Sequence, residues 1–210
     1  MSLYEEMSLM LQKGNAKKVQ ELVEEAISNN EKADTILNEG LLSGMSIIGE
    51  KFKKNEIYVP EVLIAARAMN SGLKVLEPLL ASQGVKPLGK FVIGTVKGDL
   101  HDIGKNLVAM MVKGAGFEVI DVGVDVSPEK FVDAAIESGA DIIAMSALLT
   151  TTMGRMKDVI EELNKRGVRD NFKVMVGGAP ITTNFAKEIG ADYYTPDAAS
   201  AAEVAKSLVS

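Results

Sequence analysis

The residues able to do chemistry concentrate in one stretch, Gly98-Asp99-Leu100-His101-Asp102-Ile103-Gly104-Lys105-Asn106. His101 is the only histidine in 210 residues, and there is no cysteine. Without cysteine the chain cannot form disulfides, thiolate zinc sites, iron–sulfur ligation or a cysteine nucleophile. Asp99 precedes His101 by two residues, so in an extended loop both side chains can project the same way. A carboxylate there can accept a hydrogen bond from one imidazole nitrogen, fixing the tautomer and strengthening the other nitrogen as a metal donor. One histidine cannot complete a protein metal site, which normally takes three or four ligands. The equatorial ligands would have to come from a macrocycle. A lone histidine is more often structural, and glycines are common in βα loops, so the position of this loop in the fold decides between the readings. Neither G-x-G-x-x-G nor G-x-x-x-x-G-K-[ST] occurs at this turn, which disfavours nucleotide binding of those types.

The elements that must position the loop fall into two halves. Up to about Ala81 the apolar residues keep helical spacing. Val19, Leu22, Val23, Ala26 and Ile27 form the stripe of a helix with one buried face. A third helix is predicted from Lys32 to Phe52, and a fourth from Pro60, placed at a helix start, to about Leu80. Four antiparallel helices are the economical arrangement for such a segment with short connections. Ser82 to Gly89 breaks the pattern and reads as a linker.

Beyond it, Lys90–Val96, Phe117–Val122, Asp141–Ser146 and Phe172–Val176 are short β-branched runs, each followed by a helical pattern. Ser127-Pro128-Glu129 is a helix entry, and a short fifth strand is expected near Asp192 to Tyr194. This βαβα alternation predicts a five-stranded, parallel, flavodoxin-like α/β sheet. Ligands bind such sheets beyond the carboxyl ends of the strands, where the strand order reverses. The first of the loops to inspect, after strand one, is the one that carries His101; the others begin at Ser146 and Gly177. The expected organisation is a helical cap domain over 1–83, a linker over 84–89 and a ligand-binding domain over 90–210.

A hydrophobic content of 47% suffices for a packed core, and the net charge of -6 with a pI near 5.0 gives no general attraction to phosphate backbones or anionic membranes. No nucleic acid and no membrane are therefore expected as partners. The N-terminus lacks a basic start and a continuous apolar core, and no apolar run approaches a membrane span, so the expected location is cytoplasmic.

Asp99-Leu100-His101-Asp102-Ile103-Gly104 resembles the D-x-H-x-x-G signature of corrinoid (cobalamin)-binding proteins, in which histidine replaces the cofactor's own base as the lower ligand. Two further elements of that signature follow in order, Ser146-Ala147-Leu148 after the third strand and Gly177-Gly178-Ala179-Pro180 after the fourth. Tyr58 to Met69 is similar to the cap helix of methionine synthase and of stand-alone methyltransferase corrinoid proteins.

The resemblance implies a cobalamin or related corrinoid cofactor with His101 on cobalt and Asp99 hydrogen-bonded to His101. Asp102, Ile103, Leu148, Thr150 and Gly177 would join the binding surface, Ser146 and Gly178 would line the pocket for the displaced nucleotide tail, and Gly104 would allow its close approach. Thr152 matches the position where a serine extends the histidine–aspartate relay; helix capping is the alternative for Thr150 to Thr152. Tyr58, Val62 and Met69 are candidates to cover the upper face, with bundle packing as the alternative for each.

The function so implied is a methyl carrier working between a substrate-specific methyltransferase and an acceptor methyltransferase, toward tetrahydrofolate or a thiol, with a reductive activase as a further partner. Nothing in the chain resembles a methyl-donor or methyl-acceptor active site, so the protein is expected to be one component of an enzyme system. The cobalamin subunit of a carbon-skeleton mutase and a cobalamin-responsive sensor are the competing readings. The helical half argues against the first, and the absence of a DNA-binding or signalling domain against the second.

Overall fold

The computed structural model describes residues 2–209, which divide into two compact units, 2–87 with Gly114–Gly116, and Leu88–Lys113 with 117–209. Helices α1 (Leu3–Gln12) and α2 (Ala16–Ser28) open the first unit. A continuous helical rod follows, built from α3 (Ala33–Thr35), a π-helical segment (Ile36–Leu42) and α4 (Ser43–Lys53). Helix α5 (Val59–Ser82) completes the unit. Ser2 and Glu5 cap α1 reciprocally, with Glu5 N–H donating to Ser2 Oγ at 3.1 Å and Ser2 N–H to Glu5 Oε2 at 2.7 Å.

The stripe on α2 is buried at Val19, Leu22, Val23 and Ala26, while Ile27 is half-buried. It packs on α5, where a side chain at Gly72 would meet Leu41 at 2.9 Å and Val19 at 3.0 Å. Two details differ from the sequence expectation. Helix α5 begins one residue early, at Val59, so Pro60 takes the second helical position, which also lacks an internal N–H partner. The third rod contains the π-helical segment, whose wider turn is where Gly40 lies directly against Met7 Sδ.

The second unit alternates strands and helices. Strands β1 (Lys90–Val96), β2 (Glu118–Val126), β3 (Ile142–Ser146), β4 (Lys173–Gly177) and β5 (Tyr193–Tyr194) form one parallel sheet in the order β2-β1-β3-β4-β5. Between them run α6 (Ile103–Gly114), α7 (Pro128–Ser138), α8 (Arg155–Lys165) and α9 (Thr183–Ile189), and α10 (Ala198–Val209) ends the chain. Strand order reverses between β1 and β3, so the loops after them flank the switch point.

Burial explains the sheet. Five of the seven β1 residues are apolar or glycine with both faces covered, and Val92, Ile143, Val174 and Phe131 share one core. Phe131 comes from α7, which starts as its sequence demands, with Ser127 Oγ accepting Lys130 N–H at 3.3 Å and Pro128 at the first position.

Strand β2 is the element that departs most from expectation, running on to Val126 rather than stopping at Val122. It gains one residue on β1 at each of two irregularities: Ile93 faces Asp121 but Gly94 faces Gly123, and Val96 faces Val126. Gly123 (φ 94) and Asp125 (φ 51) supply the left-handed backbone that such bulges use. The bulges carry the end of β2 up to the loop after β1.

Phe131 is wholly buried in the core of this unit. Phe131→Ala should cost about 3–5 kcal/mol in denaturant unfolding. A loss near zero would mean that α7 does not hold the sheet as described.

Candidate functional site

The loop after β1 is organised around one buried carboxylate. Asp99 has no exposed surface, and each of its oxygens receives two donors. Oδ1 accepts from the His101 ring nitrogen Nδ1 at 2.7 Å and from His101 N–H at 3.1 Å. Oδ2 accepts from Leu148 N–H at 2.8 Å and from Thr152 Oγ1 at 2.7 Å. The Thr152 hydroxyl also lies 3.1 Å from the Leu149 carbonyl, but its single proton goes to the nearer and charged acceptor. Burial by itself would raise the Asp99 carboxyl; the Leu148 N–H, the His101 ring, the Thr152 hydroxyl and the His101 N–H outweigh it and hold the group well below the ordinary carboxylate range. Asp99 is therefore an anion.

An anionic acceptor at Nδ1 fixes the ring. Nδ1 carries the proton, and Nε2 keeps a free lone pair on a side chain that is 50% exposed. The backbone is pinned from below as well. Thr95, wholly buried in β1, donates its hydroxyl to the His101 carbonyl at 2.8 Å, and Asp99 N–H donates to the Val96 carbonyl at 3.1 Å. Asp125 holds the same loop from β2, accepting Gly98 N–H at 2.8 Å and donating its own N–H to the Asp99 carbonyl at 2.9 Å. Lys105, almost fully buried on α6, donates to Asn106 Oδ1 at 2.7 Å and pairs with Asp121 on β2.

The loops after β1 and β3 expose several apolar side chains. Leu100 is 73% exposed and Ile103 75%, and Leu148 and Leu149 of the β3 loop, one of which reaches Asp99 through its N–H, are exposed too. Gly104 sits in open space, with nothing within 4 Å of where a side chain would begin. At the strand ends Thr95 pairs with Ser146, and Ser146 with Gly177, in one row across β1, β3 and β4. Gly178 (φ 132) follows, and a side chain there would run into the Ala147 carbonyl, so the β3 and β4 loops can close together only over a glycine.

The structure thus brings Asp99, His101, Leu148 and Thr152 into direct contact and sets Ile103, Gly104, Ser146, Gly177 and Gly178 on the same edge of the sheet. Asp102 accepts Asn106 N–H at its carbonyl (2.7 Å) and Asn106 Nδ2 at its carboxylate (3.1 Å), a helix-entry role. Thr150 is exposed, two residues from the threonine that meets Asp99. In the helical unit Val62 and Met69 are buried, whereas Tyr58 is exposed at the start of α5. Sequence reasoning passed over Thr95, Leu100, Leu149 and Asp125. Asp125 had one signal, the glycine two residues before it, just past the expected end of the strand.

Among the described residues no group of three or more histidine, cysteine, aspartate and glutamate side chains could hold a metal ion by itself. The donor set fits a macrocyclic metal instead: one imidazole nitrogen aimed by a carboxylate, an apolar rim to receive a flat ring, and a side-chain-free approach at Gly104. No helix among these residues is long and apolar enough to cross a membrane.

Family models described as B12 binding domain match residues 89–205 and 3–77. A corrinoid protein of Desulfitobacterium hafniense (strain Y51) is 42% identical over 212 residues, covering 100% of this chain and 98% of that protein. Dimethylamine corrinoid protein 3 of Methanosarcina acetivorans is 46% identical over 192 residues, covering 91% and 90%. The crystal structure of the methanol:cobalamin methyltransferase complex of Methanosarcina barkeri contains a chain that superposes with a TM-score of 0.89 at 26% identity, covering 99% of this chain and 79% of that one.

Thr152→Val removes one donor from a buried anion and should cost about 1–3 kcal/mol near neutral pH in urea unfolding, with Thr152→Ser restoring most of it. The pH dependence follows from the same group. Because the folded carboxyl lies below its unfolded value, the unfolded chain binds the extra proton first, and the contribution of Asp99 is lost as pH falls below about 4. Asp99→Asn should flatten that acid limb. A valine variant as stable as wild type, or an asparagine variant with an unchanged acid limb, would contradict the four-donor account.

Proposed function

Since the chain belongs to the B12-binding family of corrinoid proteins, we propose that it carries methyl groups on a bound corrinoid whose cobalt takes His101 Nε2 as its lower ligand. The observation that carries this reading is the Asp99–His101 pair, closed at 2.7 Å on an ionised and buried carboxylate at the switch point of the sheet. A bound corrinoid would supply a cobalt able to take up and release a methyl group.

The chain's own residues do the rest. Asp99 keeps the proton on Nδ1, so Nε2 is presented as a neutral donor in a fixed direction. Asp99 would keep its hold on Nδ1 whether or not Nε2 is ligating. Thr152 and the Leu148 N–H keep Asp99 ionised through that change and couple the histidine loop to the β3 loop. The exposed Leu100, Ile103, Leu148 and Leu149 would give the bound ring apolar surface to cover. Ser146, Gly177 and Gly178 belong to the pocket for the displaced nucleotide tail, and Gly104 leaves room for its approach. Asp102 shapes the entry to α6, and the exposed Thr150 would join the binding surface.

We assign residues 1–83 as a helical cap domain, 84–89 as the linker and 90–210 as the cofactor domain. Tyr58 is the exposed cap candidate, while Val62 and Met69 would act from the buried side of α5. The identity with a dimethylamine corrinoid protein supports a methylated amine as the donor to test first. A substrate-specific methyltransferase would load the carrier, a second methyltransferase would unload it toward tetrahydrofolate or a thiol, and a reductive activase would return it to service.

The test is reconstitution with hydroxocobalamin, comparing the absorption spectra of wild type and His101→Ala. Wild type should bind with a spectrum that reports an axial imidazole, and the alanine variant should lose that signature. Identical spectra would refute His101 as the ligand. Incubating the reduced, loaded protein with a methylamine:corrinoid methyltransferase and its amine should then transfer a methyl group to the cofactor. Failure with every methylated amine and with methanol would refute the carrier reading.

A further inference from the structure

The irregular end of β2 has no counterpart in the signature that led to His101, yet it grips the loop carrying it at three consecutive residues. The Asp125 carboxylate accepts Gly98 N–H at 2.8 Å and the Lys97 ammonium at 3.1 and 3.2 Å, and Asp125 N–H donates to the Asp99 carbonyl at 2.9 Å. Residues 97, 98 and 99 are thereby each bonded to residue 125. The geometry requires Asp125 at φ 51 and Gly98 at φ 82, both in the left-handed region. Aspartate is one of the few side chains that tolerates that region, and here its carboxylate makes the very bond that the conformation permits. Two successive bulges in β2 are needed to bring it there. The Gly98 N–H and Lys97 hold the Asp125 carboxyl below its ordinary range, so it grips the loop as an anion.

We propose that Asp125 is a positioning residue for His101: a clasp from the neighbouring strand that fixes the backbone of Asp99, and through its carboxylate the direction of the imidazole. Thr95 fixes the His101 carbonyl and Asp99 fixes the ring, while Asp125, together with the Val96 carbonyl that accepts Asp99 N–H, fixes the segment from which the Asp99 side chain springs. Asp125 is also half-exposed, so it contributes little to the core and its effect is confined to the loop. The consequence for cobalt ligation rests on His101 being the ligand, whereas the clasp itself exists without the cofactor.

Two variants separate the clasp from general stability. Asp125→Gly keeps the positive φ and removes the carboxylate. Asp125→Asn keeps a carbonyl oxygen able to accept Gly98 N–H and tolerates the same backbone. Amide hydrogen exchange on the cofactor-free chain should accelerate about tenfold at Gly98 and His101 in Asp125→Gly, while Val92 and Ile143 in the strand core keep their protection. Because His101 is the only histidine, its ring gives a single imidazole signal in a sample labelled at histidine. That signal should move toward the position of free histidine in Asp125→Gly and stay near wild type in Asp125→Asn. Unchanged loop exchange and ring signal in Asp125→Gly would overturn the clasp. So would an Asp125→Asn variant as impaired as the glycine one, or an equal loss of protection at Val92 and Ile143, which would make Asp125 a residue of general stability. All of these readouts precede cofactor binding, so they decide the clasp separately from the spectral test of His101.

Discussion

A carboxylate removed from water must either give up its charge or be surrounded by donors, and Asp99 takes the second course. Two donors on each oxygen keep it ionised with no exposed surface. Those donors come from separate parts of the chain: the histidine two residues on, and the backbone and a threonine of the loop after β3. The anion therefore ties the two loops at the switch point into one unit. Loss of the charge would release both loops together. This is why a single buried group, rather than the larger apolar surface around it, sets where the imidazole points.

The sheet exists, for this purpose, to bring those donors within reach. Parallel strands β1 and β3 place the ends of their loops side by side, with Thr95 opposite Ser146 and Ser146 opposite Gly177. Closing the loops needs glycine at 178, where any side chain would strike the Ala147 carbonyl. The core supplied by Phe131, Val92, Ile143 and Val174 holds the strand ends in that row. A rigid frame and one charged knot then leave Nε2 as the only ring nitrogen free to bind, on a surface rimmed by Leu100, Ile103, Leu148 and Leu149. A flat apolar ring with a metal at its centre is the ligand chemistry that such a surface suits, and the family to which the chain belongs binds one.

Much of this was legible in the residues because it depends on local spacing. Short β-branched runs and helical stripes located nearly every element, and D-x-H, S-x-L and G-G fall on loops at one edge of the sheet. What the sequence concealed depends on tertiary contact. The π-helical segment at Ile36–Leu42 accompanies the packing of Gly40 on Met7, which no propensity at those residues announces. Thr95 reads as one more β-branched strand residue until its hydroxyl is seen on the His101 carbonyl. The β-branched run read from the sequence ends at Val122, just before Gly123. Here Gly123 makes a bulge instead, and the strand continues to Asp125. A sheet edge was read from the loops after strands one, three and four, and the contribution from strand two stayed hidden.

The central claim is that the buried Asp99 anion delivers His101 Nε2 to cobalt, and the single histidine makes a direct test practical. The protein would be produced with 15N-histidine, loaded with unlabelled corrinoid, reduced to the cobalt(II) state and examined by electron paramagnetic resonance. Coordination by His101 predicts that the nitrogen splitting of the cobalt signal changes from the three-line pattern of 14N to the two-line pattern of 15N. A splitting that ignores the label would place another nitrogen, or none, on the metal and would contradict the account.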